Sequence, residues 1–203
     1  MRKKIKEKNK DRRIHRSTLQ TVLIAFVVGI VALTFSFTIS WGDRMKNIET
    51  TSSSDVFAEF ETETLWGDAF TDEDTKARVT AYNVWETTCP ACLGEMGALE
   101  KLSKQYPPEE FQLIGICDDL YDKSGKLKPG QVKKAQSLME DAGVTFPNII
   151  PTKDMSAFFK SVIPGYPTTF FVDQEGKIVS TTSGANDLEE WTEKVDEILG
   201  TEK

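Results

Sequence analysis

The chain has 203 residues and carries 25 Lys and Arg against 32 Asp and Glu, a formal net charge of -7. This length suits one domain of ordinary size with an appendage, and the acidity argues against nucleic-acid binding, which requires Lys and Arg clustered on one face. The charge is unevenly distributed. Residues 1–16 hold nine Lys or Arg against Glu7 and Asp11, so this basic segment carries +7 and the remainder carries -14.

A long apolar run follows the basic segment. It extends from Leu19 to Ile39 and would form a helix of roughly 30 Å, the thickness of a bilayer's hydrocarbon core. The run is longer than the apolar region of a signal peptide and does not end in a small-x-small cleavage site. We therefore predict an uncleaved transmembrane signal-anchor over residues 17–41.

The charge distribution around this run predicts its orientation. The positive-inside rule places residues 1–16 in the cytoplasm and the chain after Trp41 outside it, so the expected location is the cell membrane, with a single pass. Residues 42–54 are polar and include a Thr/Ser cluster, which predicts a flexible linker. Residues 55–203 are expected to form an extracytoplasmic domain, large enough to build a core without disulfides.

The pattern of the domain predicts an α/β fold with parallel and antiparallel strands in one sheet. Strands are predicted at "VFAEF" (56–60), "ARVTAYNVW" (77–85) and "FQLIGIC" (111–117). A helix from residue 89 to about 106 would join the last two strands in a β-α-β unit.

The second half of the domain adds helices and a hairpin. Helices are predicted at about 131–141 and 155–162, and a hairpin at 168–182. A terminal helix would follow, with Asn186 and Glu189 in capping-box positions and Gly200 just past its end.

Two cysteines, Cys89 and Cys92, stand where a strand pattern gives way to a helical one. Unpaired N–H groups at a helix start favour a thiolate at Cys89, and Cys92 one turn later can resolve a mixed disulfide. Outside the cytoplasm a static disulfide is the alternative, but closing so small a loop would add little stability. The pattern predicts a redox-active pair.

Metal sites and other thiol chemistries are disfavoured by the residues that the exported part contains. It offers Cys89, Cys92 and Cys117 and no histidine, since His15 lies in the basic segment. A structural zinc site requires four Cys or His ligands, and copper delivery or a Cys-His nucleophile also requires imidazole. No cofactor is expected besides the redox-active disulfide. Cys117 lies in a buried-strand pattern and is predicted to be a small core residue.

Two blocks of the sequence resemble the thioredoxin-like proteins of the TlpA/ResA type. "NVWETTCPACLGEM" (83–96) is similar to their active-site block, and "IPGYPTTFFVDQEGKI" (163–178) to the later block that carries a proline opposite the cysteines. The resemblance extends from about Phe60 to Leu199. It implies a thioredoxin fold with an inserted helical segment, membrane anchoring in many members, and disulfide exchange outside the cytoplasm.

The resemblance also implies roles for individual residues. Cys89 would attack and Cys92 would resolve, with Pro167 in the cis form beside them. Tyr166 and Thr88 would join Pro167 in the substrate-binding surface.

The chain departs from the resembled pattern in places. Asn83 stands where thioredoxins have a buried acid that moves protons for the resolving cysteine. Glu95, three residues after Cys92, matches the acidic residue of the ResA-like pattern and would take over as proton acceptor; without the resemblance it would be interpreted as a solvated helix glutamate. Thr88 replaces an aromatic residue before the first cysteine, which alters the surface that meets a partner, and Gly97 replaces a helix-kinking proline.

The leading functional prediction is a membrane-anchored extracytoplasmic thiol-disulfide oxidoreductase that reduces exported proteins. Its electrons would come from an integral-membrane thiol donor, and candidate clients are apocytochrome c, other oxidised exported proteins or a methionine sulfoxide reductase. One alternative is a disulfide-forming oxidant of the same fold, because Pro90 and Ala91 do not indicate the direction of exchange. Another alternative is a binding module with an inert disulfide.

A thiol peroxidase of the same fold is also disfavoured. That chemistry usually surrounds its cysteine with a Pro-x-x-x-Thr-x-x-Cys arrangement. Seven residues before Cys89 stands Tyr82, and seven before Cys92 stands Trp85, so the proline is missing in both registers.

Overall fold

The computed structural model describes residues 55–200. The predicted basic segment (1–16), transmembrane anchor (17–41) and linker (42–54) lie outside this range. Among the residues described, no helix combines the length and the apolar character needed to cross a bilayer.

A five-stranded mixed sheet with helices on both faces forms the centre of the domain. The described residues contain this sheet and a separate strand pair. In chain order the strands are β1 (Glu61–Glu63), β2 (Ala69–Thr71), β3 (Val79–Trp85), β4 (Phe111–Cys117), β5 (Asn148–Ile149), β6 (Thr168–Asp173) and β7 (Ile178–Ser183). The helices are α1 (Pro90–Leu102), α2 (Pro129–Asp141), α3 (Lys153–Val162) and α4 (Leu188–Leu199).

The order of strands in the central sheet is β5-β4-β3-β6-β7. Strands β3, β4 and β5 run parallel to one another, whereas β6 is antiparallel to both β3 and β7. Strands β1 and β2 form a separate antiparallel pair. The predicted α/β class, the mixed sheet and the C-terminal hairpin are therefore confirmed.

Strand β3 is buried along its whole length, because the helices cover both faces of the sheet. Its side chains alternate between two apolar clusters. Ala81 and Trp85 face the cluster that α1, α2 and α4 complete. Tyr82 and Val84 face the cluster that α3 completes. The strand that leads to Cys89 is thus fixed by packing on both sides.

The predicted strand at 56–60 is wrong. Asp55–Phe57 forms a single turn of 3-10 helix, and the Phe57 ring stacks on Tyr82 with 4.4 Å between the ring centroids. The apolar side chains of this segment cover one face of the sheet, and its backbone does not pair with a strand. Strands β1, β2 and β5 were not predicted, because two or three residues are too few to show an apolar alternation.

The predicted helices are confirmed with shifted ends. Helix α1 ends at Leu102 rather than near residue 106, and α2 begins at Pro129 rather than at residue 131. The capping box of α4 is formed by Asp187 and Glu190, one residue later than predicted at Asn186 and Glu189. The backbone N–H of Asn186 instead donates to Glu95 Oε2 over 3.2 Å. This tertiary contact determines that Asp187, and not Asn186, is the N-cap of the helix.

Close packing between β4 and β5 generates a prediction about Gly115. A Cβ atom at this position would overlap the carboxamide of Asn148, whose Oδ1 accepts the indole N–H of Trp85 at 2.9 Å. We expect Gly115→Ala to lower the free energy of unfolding by about 1 to 3 kcal/mol, because overpacking must displace this pair. Urea unfolding of the purified protein measures the change.

Gly97→Ala is the matched control. A Cβ at Gly97, on the exposed face of α1, would meet no atom within 4 Å, and alanine should stabilise the helix by about 0.5 to 1 kcal/mol. Equal stability of Gly115→Ala and the wild type would contradict the packing described between β4 and β5.

Candidate active site

The two cysteines of the C-x-x-C motif lie at the junction between β3 and α1 and form a disulfide, with 5.3 Å between their Cα atoms. Cys89 is the N-cap of α1, and the N–H of Cys92 points to its sulfur over 3.2 Å. Cys92 is fully buried, whereas Cys89 is partly exposed. An incoming thiolate can therefore reach the sulfur of Cys89 and not that of Cys92.

Local sequence explains why the helix begins here. The N–H of Cys89 donates to the carbonyl of Glu86 at 3.2 Å, which turns the chain out of β3. Pro90 follows at the first helical position, where its missing N–H costs nothing and its fixed φ angle suits a helix. The sulfur of Cys89 consequently stands at the positive end of the helix dipole, where a thiolate is stabilised.

A cis peptide bond joins Tyr166 and Pro167 beside the disulfide, which confirms the predicted isomer. The carbonyl oxygen of Tyr166 lies 3.6 Å from Cys89 Sγ, and the Tyr166 hydroxyl donates to Asp118 Oδ2 at 2.6 Å. Thr88 is exposed next to Cys89. The structure thus brings the carbonyl of Tyr166, which forms the cis bond to Pro167, against the sulfur of Cys89, and it leaves Thr88 on the surface next to this cysteine.

Glu95 is buried, with 3% of its surface exposed, so it is not a solvated helix glutamate. Asn83 Nδ2 donates to Glu95 Oε1 at 2.9 Å, and the Asn186 backbone donates to Oε2. Burial raises the pKa of Glu95 to about 7, although these hydrogen bonds oppose the change. The carboxyl group therefore changes its protonation near neutral pH. The contact with Asn83 was not predicted, although both residues were singled out.

Three further acids, missed in the sequence, lie at the carboxyl ends of β3 and β4. Burial raises the pKa of Glu86, and the charges of Asp119 and Asp118 raise it further. Burial also raises the pKa of Asp118. Although burial acts on Asp119 in the same way, hydrogen bonds from Thr87 and other donors hold its pKa below the usual range. The sequence signal that could have identified Asp118 and Asp119 is their position directly after β4, a buried strand that runs parallel to β3.

Cys117 is confirmed as a core residue. It is fully buried and not disulfide-bonded, and its thiol donates to Asp119 Oδ1 at 3.3 Å. Burial, reinforced by the charge of Asp119, raises the pKa of this thiol well above its usual value. A neutral buried thiol is a poor nucleophile, so Cys117 does not act as a third redox group in this conformation.

Comparison with known proteins agrees with this geometry. Residues 54–181 match the model of the AhpC/TSA family. The chain belongs to the AhpC/TSA family. Among curated relatives, the thioredoxin-like protein YneN of Bacillus subtilis is 28% identical over 138 residues, which cover 68% of this chain and 75% of YneN. The thiol-disulfide oxidoreductase ResA of Halalkalibacterium halodurans is 25% identical over 125 residues, covering 62% of this chain and 65% of ResA.

A solved structure supports the same fold. The thioredoxin-family thiol:disulfide interchange protein of Chlorobium tepidum superposes with a TM-score of 0.59 at 22% identity, covering 70% of this chain and 94% of that protein. The fold of this AhpC/TSA member is therefore thioredoxin-like. With its Cys89–Cys92 disulfide and relatives named thiol-disulfide oxidoreductases, this chain is a thiol-disulfide oxidoreductase.

The pKa of Glu95 generates a prediction about stability. A buried acid whose pKa is raised from 4.5 to about 7 binds its proton more tightly in the folded chain than in the unfolded one. The free energy of unfolding should therefore fall as pH rises between these values, by on the order of 2 to 3 kcal/mol from this group. Glu95→Gln should lack this part of the slope when the oxidised protein is unfolded in urea from pH 4 to pH 8.

The slope of the free energy of unfolding against pH is the quantity to compare. The glutamine also alters the hydrogen bond from Asn186, which changes the free energy of unfolding at every pH. Glu189→Gln, an exposed substitution on α4, should keep the wild-type slope. Parallel curves for Glu95→Gln and the wild type would contradict the raised pKa.

Proposed function

We propose that this chain is a membrane-anchored extracytoplasmic disulfide reductase, which passes electrons from an integral-membrane thiol donor to the disulfides of exported proteins. The observation that carries the reducing direction is the acidic environment of the Cys89 loop, formed by Glu86, Asp118 and Asp119. Cys89, Cys92 and Glu95 would be its catalytic residues.

The reaction would proceed through a mixed disulfide. The Cys89 thiolate attacks one sulfur of the client disulfide, and the other client sulfur leaves as a thiolate. The thiolate of Cys92 then attacks Cys89, which releases the second client thiol and re-forms the Cys89–Cys92 bond. The client gains two electrons and two protons, and the chain loses them. The partial exposure of Cys89 and the burial of Cys92 support this order of events.

Electrostatics favours the reducing direction. A strong oxidant owes its high potential to a reduced form that is stabilised, usually through a stable thiolate. The residues between the cysteines, Pro90 and Ala91, carry no charge. Asp119 stays ionised at neutral pH, because hydrogen bonds hold its pKa low. Negative charge next to the loop disfavours a thiolate at Cys89 and so opposes the dipole of α1.

Glu95 would accept the proton of Cys92. It follows Cys92 by one helical turn, it is buried, and its pKa of about 7 suits proton transfer at neutral pH. Asn83, which stands in the place of the acid of thioredoxins, cannot carry a proton. Its hydrogen bond to Glu95 would instead hold the carboxyl group in place.

Client binding would involve Tyr166, Pro167 and Thr88, since the first two lie against Cys89 and the third is exposed beside it. The apolar run from Leu19 to Ile39 supports the membrane anchor. The proposed clients are oxidised exported proteins, with apocytochrome c and a methionine sulfoxide reductase as candidates. The relatives named thiol-disulfide oxidoreductase and thiol:disulfide interchange protein support disulfide exchange as the reaction.

The reduction potential tests the direction. We expect the Cys89–Cys92 couple at pH 7 to lie nearer to the roughly -270 mV of thioredoxin than to the roughly -120 mV of DsbA, because acidic neighbours destabilise the thiolate. The full chain in detergent is equilibrated with dithiol and disulfide mixtures, and the reduced fraction is measured by alkylation. A potential near that of DsbA would instead mark a disulfide-forming oxidant.

The same equilibrium from pH 5 to pH 9 reports on Glu95. If Glu95 exchanges its proton with Cys92, its pKa depends on the redox state, and the plot of potential against pH bends near pH 7. Glu95→Gln should lack this bend, and Glu189→Gln should retain it. A bend that persists in Glu95→Gln would remove Glu95 from the mechanism.

Trapping identifies the client. Cys92→Ser removes the resolving thiol, so in the source organism Cys89 should remain covalently linked to an exported protein, which is released by dithiothreitol and identified by mass spectrometry. The double variant Cys89→Ser/Cys92→Ser should trap nothing. The absence of any adduct would favour a binding module with an inert disulfide.

A further inference from the structure

The carboxylate of Asp119 holds together three separate segments of the chain. Its Oδ1 accepts the backbone N–H of Thr87 at 3.2 Å, and its Oδ2 accepts the Thr87 hydroxyl at 2.7 Å. Gln131 Nε2 donates to the same Oδ2 and to Thr87 Oγ1, both at 2.6 Å. We call these three residues, Asp119, Thr87 and Gln131, the Asp119 clamp.

The clamp connects the active-site loop to the segment between β4 and β5. Thr87 lies two residues before Cys89 and is 3% exposed, so its N–H and hydroxyl cannot turn to water instead. Gln131 lies in the first turn of α2, the α-helix of the segment between β4 and β5 (118–147), which we call the inserted segment. The loop from Glu86 to Thr88 is otherwise fixed by the turn that joins Cys89 N–H to the carbonyl of Glu86.

We propose that Asp119 is a positioning residue that ties the loop carrying Cys89 to helix α2, so that the inserted segment determines how the Cys89 sulfur is presented to an incoming thiolate. The effect on exchange rests on the proposed function. The tie itself does not, because it is a set of hydrogen bonds that can be measured without any client.

Two features support a positioning role over a general structural one. Both polar groups of Thr87 and the amide of Gln131 meet this one carboxylate. The clamped residue, Thr87, lies two residues before Cys89, on a loop without regular secondary structure. Release of the clamp should therefore free the loop and leave the sheet intact.

Hydrogen exchange of the oxidised full chain in detergent, followed by mass spectrometry, tests the clamp. Asp119→Ala removes the acceptor, so exchange in residues 86–89 should accelerate by about tenfold or more, while β6 exchanges as in the wild type. Asp119→Asn keeps an oxygen for the Thr87 N–H, and Gln131 can rotate its amide to match. This conservative variant should therefore stay close to the wild type.

Asp122→Ala is the matched control. Asp122 belongs to the same inserted segment, but its carboxylate accepts from Ser124 and Lys126 within its own turn. Exchange in residues 86–89 should be unchanged. Equal acceleration in Asp119→Ala and Asp119→Asn would show that the charge acts and not the clamp, and no acceleration in Asp119→Ala would also overturn the proposal.

Asp119→Ala could destabilise the whole domain, and faster exchange in β6 would reveal this. A second variant then tests the clamp. Gln131→Met keeps the length of the side chain and removes its two hydrogen bonds. Exchange in residues 86–89 should then rise by about threefold or more, with β6 unchanged. An unaltered rate in these residues would overturn the proposal.

Reduction by dithiothreitol measures the chemical consequence. One thiolate of the reagent attacks Cys89 Sγ and Cys92 leaves; the second thiol then releases Cys89, and the reagent ends as a cyclic disulfide after giving up two electrons and two protons. Asp119→Ala and Asp119→Asn both remove the negative charge near Cys89, so the two variants are compared with each other. Asp119→Ala should react at least about threefold more slowly than Asp119→Asn, because the sulfur is less well oriented only in the alanine variant.

The two proposals fail in different ways. An oxidising potential or an absent client adduct would remove the reductase function and leave the hydrogen-exchange result for the clamp standing. Wild-type hydrogen exchange in residues 86–89 of Asp119→Ala would remove the clamp and leave the reductase function standing.

Discussion

The burial of β3 on both faces is the constraint on which the active site depends. Apolar clusters pack against the side chains on both faces of this strand, and this packing holds the end of the strand in place. The turn that follows places Cys89 at the start of α1. One helical turn then separates an accessible sulfur from a buried one. The difference in exposure between the two cysteines is therefore a consequence of packing in the sheet.

Polar contacts around this junction set the chemistry of the disulfide. Asn83 on β3 donates a hydrogen bond to Glu95 on α1. The buried acid of this chain thus lies on the helix, whereas thioredoxins have theirs on the strand, at the position of Asn83. On the other side, acids at the ends of β3 and β4 oppose the effect of the helix dipole on Cys89. In the proposed reaction, the balance of these two opposing effects on a Cys89 thiolate favours the reducing direction.

Elements with a long apolar pattern could be predicted from the sequence. Strand β4 was predicted with both ends correct, and α1 was found from its repeating apolar residues; the resemblance supplied the cis peptide bond at Pro167. Contacts between distant segments could not be predicted, because no local pattern encodes them. Asp119 meets Thr87 across 32 residues, and the cap of α4 was misplaced because Asn186 and Asp187 both suit an N-cap, while the contact with Glu95 decides between them.

The hydrogen bond from Asn186 to Glu95 also links the surroundings of this buried carboxyl group to a later part of the chain. The family match stops at residue 181, yet the residue that holds one oxygen of the buried carboxyl group lies beyond it, and Trp191 of α4 packs in the same cluster as Cys92. The acidity of Glu95 is thus governed partly by sequence outside the family signature. A substitution near residue 186 that displaced this N–H donor would consequently raise the pKa of Glu95 and leave the C-x-x-C block unchanged.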